Sequence, residues 1–394
     1  MTVFVEGLGI PRLEYILCTT AAHVAQAHGL HQQSFKSSIL SDDDLLNRRW
    51  LWWAVYCLEK RITSRNARPS GIDDDNIGII IPDTVAEGST VDIETFTLMI
   101  KHAQLSSQIS RCITSIRALQ QHPKDLLGAV DSVRDQLHQL LKSFSTDLTV
   151  NSGPLVSNSF PSTARLLQAL YIHCAIYDSL MVIHSAFFYP WVSTLFEKDV
   201  DPSICLRVSS WSAAVAEACR KIILAIRSVE VNAATPAWLA IYYPMYAHIN
   251  LFIYVLKDPA LETVNSDLAL LEVSAGYFSY LEFITESQVS FTLPRVTTNI
   301  ASETVATLKK RGDYGFKPPC ISTQHAGSSP KQMSQNIEVD TEDQEHADLR
   351  EGMVETNRAR RKSNEASITD FDIDFFNLFT TIDIDCESSL GINM

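Results

Sequence analysis

An acidic run early in the chain is the first place where the residue types could do chemistry. Residues 73–76 read Asp-Asp-Asp-Asn, and clustered oxygen ligands are what Ca²⁺ prefers. A calcium loop of the helix–loop–helix type needs Asp or Asn at its fifth position and Glu at its twelfth. Those positions hold Ile77 and Thr84. The sequence therefore excludes this kind of calcium site.

Cysteine and histidine residues show no spacing that is typical of a metal site. Eight cysteines are present, but no two of them form a Cys-x-x-Cys pair. The histidines do not form His-Glu-x-x-His, and the sequence also lacks the phosphate-binding and nucleophile-elbow motifs. No motif in the sequence indicates a nucleophile together with a general base. The chain is therefore predicted to be no enzyme and to bind no cofactor.

Composition limits the class of protein further. The 394 residues carry a formal charge of −14, which argues against a broad nucleic-acid-binding face because phosphate contacts need clustered Lys and Arg. The charge does not exclude one basic patch. An apolar fraction of 46% is ample for a sizeable core, and free cysteines in apolar patterns favour a reducing compartment inside the cell.

One apolar stretch dominates the pattern of secondary structure. Nine consecutive apolar residues with three tryptophans run from Trp50 to Leu58. A helix that is apolar on every side is predicted to lie in the middle of a core. Ser41 followed by Asp44 predicts its N-terminal capping box, and Lys60 with Arg61 is placed near its last turn.

This stretch and the loop after it resemble the middle homology region of fungal zinc-cluster transcription factors, the fungal-specific transcription factor domain. That signature runs Arg-Arg-aromatic-Leu-Trp-Trp, Asp-Arg, Gly-Arg-Pro, an Ile-Asp pair and a closing Pro. The matching positions are Arg48, Arg49, Leu51, Trp52, Trp53, Arg68, Pro69, Ile72, Asp73 and Pro82. Glu59-Lys60 replaces Asp-Arg, and Ala67 replaces the glycine before Arg68. The helix Ala21–His31 also fits the family.

The resemblance implies an all-α regulatory domain of a fungal transcription regulator in the nucleus. Its partners would be the transcription machinery or co-regulators, and a homodimer and a small-molecule effector stay open. Family members carry a six-cysteine zinc cluster that reads DNA, and this sequence has none. We therefore expect a regulator that is truncated or that takes its DNA contact from a partner. The alternative is a helical ligand-sensing or scaffold protein without transcriptional activity, and no membrane association is expected.

Within the signature, the tryptophans and Leu58 are predicted to be structural. Arg68 is expected to pair with Glu59 and fix the loop against the helix. Whether the block also shapes an effector pocket stays open.

Periodicity and helix breakers predict a multi-helix domain over residues 1–310 with no strand pattern. The apolar stripe of the helix 123–145 is interpreted as an internal contact rather than a dimer seam, and the apolar segment 237–256 as a buried core helix rather than a membrane span. Predicted helices span residues 11–28, 92–121, 123–145, 162–189, 203–230, 236–256, 260–286 and 295–310.

The composition changes in residues 311–394. This acidic tail holds 16 acidic and 8 basic residues with few aliphatics before residue 368, and is predicted to be disordered up to residue 367. A basic run within it is interpreted as a nuclear-import signal, with a solvated charge run as the alternative. Its residues are Arg358, Arg360, Arg361 and Lys362.

The end of the tail alternates aspartates with bulky apolar residues. This pattern is typical of acidic-hydrophobic activation segments, in which charge keeps aromatic side chains solvated until a partner binds them. The alternative is that these side chains dock back onto the core. The residues that would contact the partner are Phe375, Phe376, Phe379 and Ile382.

Overall fold

A computed structural model describes residues 1–7, 10–33, 40–85, 91–143, 163–189, 202–227, 231, 235–287 and 289–311. Within these ranges the chain forms helices and turns and no strand, which confirms the all-α fold class. The basic run and the activation segment of the acidic tail lie outside the described residues.

Most of the predicted helices are present with boundaries close to those expected. Pro11 and Pro123 each begin a helix, as their position before an apolar repeat predicts. In chain order the helices are α1 (Thr2–Gly7), α2 (Pro11–Ala27), α3 (Asp42–Arg65), α4 (Ile93–Ile109), α5 (Ile116–Leu119), α6 (Pro123–Lys142), α7 (Thr163–Phe188), α8 (Pro202–Ile226), α9 (Tyr243–Lys257), α10 (Val264–Ile284) and α11 (Thr292–Arg311).

The single helix predicted over residues 92–121 is wrong, because the structure divides it. A π-helical segment, Ser110–Thr114, follows α4 and ends at Ser115, whose backbone is extended. The hydroxyl oxygen of Ser115 accepts a hydrogen bond from the Ala118 N–H at 3.0 Å. Serine at an N-cap starts a new helix in this way, so α5 has its own beginning.

A second π-helical segment, Trp238–Tyr242, precedes α9. Pro244 at the start of α9 has no N–H to donate to the carbonyl of Ala240, four residues earlier. That carbonyl accepts instead from the Tyr277 hydroxyl of α10 at 2.8 Å. The irregular turn is therefore stabilised by a side chain of a neighbouring helix.

Helix α3 begins as predicted, with the Ser41 hydroxyl accepting from the Asp44 N–H at 3.1 Å. It packs between α2 and α4. Trp52 and Trp53 are buried, but Leu51 is 53% exposed and Ala54 is exposed. The prediction that this helix is buried on every side is therefore wrong. One side of it faces solvent because α2 and α4 cover only the other sides.

The C-terminus of α3 has the geometry of a Schellman motif. Ala67 has φ 47°, its N–H donates to the Ser64 carbonyl at 3.2 Å, and the Arg68 N–H donates to the Thr63 carbonyl at 2.9 Å. Helix α2 ends with the same pair of bonds, but there the left-handed position is Gly29, with φ 66°. Alanine in this region costs energy because its Cβ crowds the backbone.

We therefore expect Ala67→Gly to stabilise the protein by about 1 kcal/mol. The matched reverse change is Gly29→Ala, where an added Cβ would meet no atom within 4 Å, so backbone strain alone should lower stability. Urea denaturation of the two variants checks both signs. A destabilised Ala67→Gly protein would contradict the strain argument.

Two apolar helices occupy the interior of the second half. Helix α7 packs on α4, α6 and α8, and α9 packs on α8, α10 and α11. Arg165–Phe188 and Trp238–Lys257 are long and apolar enough to cross a membrane, but 67% and 72% of their most apolar windows are buried inside the protein. Burial of this extent supports the interpretation of 237–256 as a core helix.

The apolar stripe of α6 is also internal. Leu126, Val130, Val133 and Leu137 are at most 5% exposed, and α6 packs on α4 and α7. This confirms the internal-contact interpretation for the described part of the stripe.

Candidate functional site

The residues of the signature meet where α3 packs on the loop that follows it, residues 66–85, which we call the signature loop. Trp50 donates its Nε1–H to the Thr84 carbonyl at 3.0 Å, and Trp53 donates its own to the Ile80 carbonyl at 3.1 Å. The Trp50 ring also stacks on Phe96 of α4 at a centroid distance of 4.1 Å. Trp50 and Trp53 thus bond the loop backbone through their indole N–H groups while their rings pack against neighbouring side chains.

Asp74 is the acidic centre of this loop. Its carboxylate accepts hydrogen bonds from the Tyr56 hydroxyl at 2.8 Å and from the Ser107 hydroxyl of α4, and Lys60 Nζ lies 3.1 Å away. Burial alone would raise the pKa of Asp74, but the Ser107 bond and the Lys60 charge outweigh it and lower the pKa. Asp74 therefore joins α3, the loop and α4 as a charged group.

Glu59 is fully buried and faces the same loop. One carboxylate oxygen accepts from the Gly71 N–H at 2.7 Å and the other from the Ser70 hydroxyl at 2.9 Å. Burial raises its pKa, and these two hydrogen bonds offset part of that rise. The predicted Glu59–Arg68 pair is wrong, because Arg68 is exposed and no ion pair of its side chain occurs among the described residues.

Lys60 supplies the positive charge that Arg68 was expected to bring. It is 2% exposed and donates to the Ser70 hydroxyl at 2.8 Å and to the Ile72 carbonyl at 2.9 Å. Helix α3 continues to Arg65, so Lys60 lies just before its last turn, near the end where it was expected. The sequence signal for this role was the position of Glu59-Lys60. The pair directly follows the apolar run Trp50–Leu58, so its two charges continue a largely buried helix.

Arg48 and Pro69 tie this region to α2. Arg48 donates to the carbonyls of His28 and Gly29 at 3.4 and 3.3 Å, and so satisfies the C-terminal end of α2. The Pro69 carbonyl accepts from the Tyr15 hydroxyl at 3.1 Å. Both residues therefore have a structural role, since each one bonds the signature region to α2.

The other matched positions divide into local structure and exposed surface. Asp73 accepts from the Asp75 N–H at 3.2 Å and caps a 3₁₀ turn, Asp74–Asn76. Pro82 is buried. Leu51 is exposed, and the side chain of Arg49 forms no hydrogen bond or ion pair with the described part of the chain.

A second buried charge cluster lies further along α3. Arg61 pairs with both oxygens of Glu6 at 2.6 and 2.9 Å, and Arg65 reaches Glu6 at 2.5 Å and also pairs with Glu14. The two glutamates are 3% and 0% exposed. Burial would raise the pKa of Glu6, but the bonds and charges of the two arginines lower it. Sequence reasoning missed this cluster because its partners are 51 to 59 residues apart.

A surface groove of about 620 Å³ opens beside the signature loop. Its lining includes Ile77 and Ile80 from the loop, Gln104 and Gln108 from α4, and Arg111 from the π-helical segment after α4. This volume falls in the range of small-molecule sites. The described residues contain no group of three or more His, Cys, Asp or Glu side chains that could hold a metal ion.

Comparison with known proteins identifies the region that contains this site. Residues 3–171 match the model of the fungal specific transcription factor domain. Residues 3–171 are therefore similar to that domain. The match runs from α1 into α7, so the signature loop, the Glu59–Lys60–Asp74 network and the arginine cluster all lie inside the domain.

Curated relatives extend beyond the matched domain. Two are named ABC-transporter-regulating transcription factors, of Aspergillus fumigatus and Aspergillus oryzae, with 24% and 23% identity over 71% of this chain. An uncharacterized transcriptional regulatory protein of Schizosaccharomyces pombe is 22% identical over 73%. The chain spans about a third of the two Aspergillus proteins and 45% of the third. No solved structure matches at a significant level.

The helices that follow residue 171 pack directly on helices that lie inside the matched region. Helix α8 packs on α7, and α9 packs on both α7 and α8. That the domain itself extends to residue 310 stays a prediction.

Proposed function

We propose that this chain is the regulatory part of a fungal transcription regulator that controls RNA polymerase II genes in the nucleus. The match to the family domain supports this proposal, as do the names of three relatives, two transcription factors and one transcriptional regulatory protein. The two Aspergillus names make ABC-transporter genes the first set to assay, alongside metabolic and biosynthetic genes.

The observation that carries the proposal is that the signature side chains bond the signature loop to α3. Lys60 pairs with Asp74, and Glu59 accepts hydrogen bonds from Ser70 and Gly71 of the signature loop. The indole N–H groups of Trp50 and Trp53 bond the loop backbone. A catalytic site needs a nucleophile or base within reach of a substrate. These groups hold a scaffold in one conformation, which suits a regulatory domain rather than an enzyme.

DNA contact is proposed to come from a partner or from a segment outside these 394 residues. The net charge of −14 disfavours a broad phosphate-binding face, and the sequence contains no Cys-x-x-Cys pair for a zinc cluster. A separate DNA-binding protein would supply that contact, and a homodimer of this chain would still need one.

The acidic tail is proposed to bring the regulator to the nucleus and to its partners. The run at 358–362 supplies four positive charges for import. In the activation segment Phe375, Phe376, Phe379 and Ile382 fall at i, i+1, i+4 and i+7, which gathers them on one side if the segment becomes helical on a co-regulator.

A reporter assay tests the proposal. We expect the whole chain, fused to a heterologous DNA-binding domain with its own import signal, to activate a reporter well above that domain alone. Replacing Phe375, Phe376 and Phe379 together with alanine should return the signal to background, because the apolar contacts are lost at unchanged charge. The matched control replaces Met333, Ile337 and Val339 of the same tail with alanine and should keep the signal.

Two outcomes would oppose the proposal. A silent fusion that is present in the nucleus would favour the scaffold or ligand-sensing protein. Equal activity of the phenylalanine and control variants would remove the activation role from residues 375–379.

A further inference from the structure

A small cavity lies where α3, the helix that carries the signature tryptophans, meets the second half of the protein. It has a volume of about 40 Å³ and is lined by α3, α4, α7, α9 and the π-helical segment Trp238–Tyr242. Segments of this π-helical kind often lie at functional sites. A water molecule takes roughly 30 Å³ in the liquid, so the cavity has room for one small polar group.

The charged groups on the cavity wall differ in whether they have an ion-pair partner. Arg61 and Arg65 are both paired with the buried carboxylates of Glu6 and Glu14. Asp178 of α7 also lines the cavity, but its carboxylate has no hydrogen bond or ion pair with the described residues. The two arginines are balanced by the two glutamates, so the ionised Asp178 leaves one negative charge without a counter-charge.

Burial raises the pKa of Asp178 to about 7, although the positive charge of Arg65 lowers it in part. The cavity therefore holds a carboxylate that ionises near neutral pH. An ionised group in such a place is stabilised by a cation or by hydrogen-bond donors.

The rest of the wall is rich in aromatic rings. Tyr171, Trp238, Tyr243 and Tyr246 all line the cavity, and the Tyr171 and Trp238 rings meet edge to face at a centroid distance of 5.0 Å. Ring faces attract cations through their quadrupole. His102 adds no charge, because burial lowers its pKa to about 4.

We propose that this cavity binds a single ammonium group, either the ammonium ion or the head of a small primary amine, through Asp178 and the aromatic wall. The carboxylate supplies the counter-charge, the rings add cation–π attraction, and the volume admits only a compact head group. Such a ligand would contact α7 and α9 beside α3, and would join α3 to the second half of the fold.

Thermal melts and calorimetric titration of the whole chain test the proposal at pH 8, where Asp178 is largely ionised. Ammonium chloride and methylammonium chloride are compared with sodium chloride and tetramethylammonium chloride at equal ionic strength. We expect saturable binding and a raised Tm with the first two salts only. Comparison of the ammonium and methylammonium affinities distinguishes a free ion from an amine head group.

Asp178→Asn should weaken this binding by about tenfold or more, the loss expected for a hydrogen bond to a charged group. Asp83→Asn changes an exposed carboxylate of the signature loop and should bind like the wild type. Asp178→Glu keeps the charge but fills the cavity, and it should also lose binding, so the test stands even where the asparagine variant folds poorly. Wild-type affinity in either Asp178 variant, or an equal response to all four salts, would overturn the proposal.

Discussion

Replacing Arg65 with alanine is expected to lower the free energy of unfolding by about 3–5 kcal/mol, the cost of leaving a buried charge without its partner. Arg65 is the ion-pair partner of Glu14, which is fully buried, and one of two partners of Glu6. Its guanidinium also lies 4.2 Å from the centre of the Tyr242 ring. Urea denaturation followed by circular dichroism measures the loss.

Two further variants separate charge from packing. Arg12→Ala removes an exposed arginine of α2 and should change stability by no more than about 0.5 kcal/mol. Adding Glu14→Gln to Arg65→Ala should recover part of the loss, because the unpaired carboxylate is then neutral. A wild-type denaturation curve for Arg65→Ala would show that the cluster contributes nothing to stability.

Trp53→Ala is expected to destabilise the protein by about 3–5 kcal/mol, the range for truncating a large buried aromatic side chain. Trp53 is 2% exposed, packs edge to face on Tyr56 at 5.3 Å and donates a hydrogen bond to the Ile80 carbonyl. The variant loses the apolar burial and also an attachment point of the signature loop. Hydrogen exchange should therefore rise in residues 77–82 as the melting temperature falls.

The control for this prediction lies two residues earlier on the same helix. Leu51 is 53% exposed, so Leu51→Ala should cost about 0.5 kcal/mol. Trp53→Phe keeps most of the apolar burial and should lose mainly the hydrogen bond, about 1 kcal/mol. Equal melting temperatures for Trp53→Ala and Leu51→Ala would show that α3 does not organise the core.

Local signals in the sequence account for the parts of the fold that were predicted. Ser41 caps α3, and Pro11 and Pro123 begin helices, because a cap or a fixed φ acts on the residues next to it. The apolar period of α6 marked its buried side for the same reason. The resemblance to the fungal-specific transcription factor domain likewise depended on residues that are close in sequence.

The assignments inside the site needed the tertiary structure. Sequence proximity favoured Glu59 with Arg68, yet the loop places Ser70 and Gly71 against Glu59 and leaves Arg68 exposed. Lys60 could be recognised as a buried partner of Asp74 only once the chain had folded back on α3.

The sequence alone therefore determined the all-α class, most helix positions and the resemblance of its first half to the family domain, since these depend on periodicity and on neighbouring residues. The tertiary structure decided which charges are paired, which side of α3 is exposed, and that Asp178 meets the cavity beside Arg65. Such pairings join residues that are tens to more than a hundred positions apart. The free energy of a buried charge depends on whatever packing places beside it, and no local pattern encodes that neighbour.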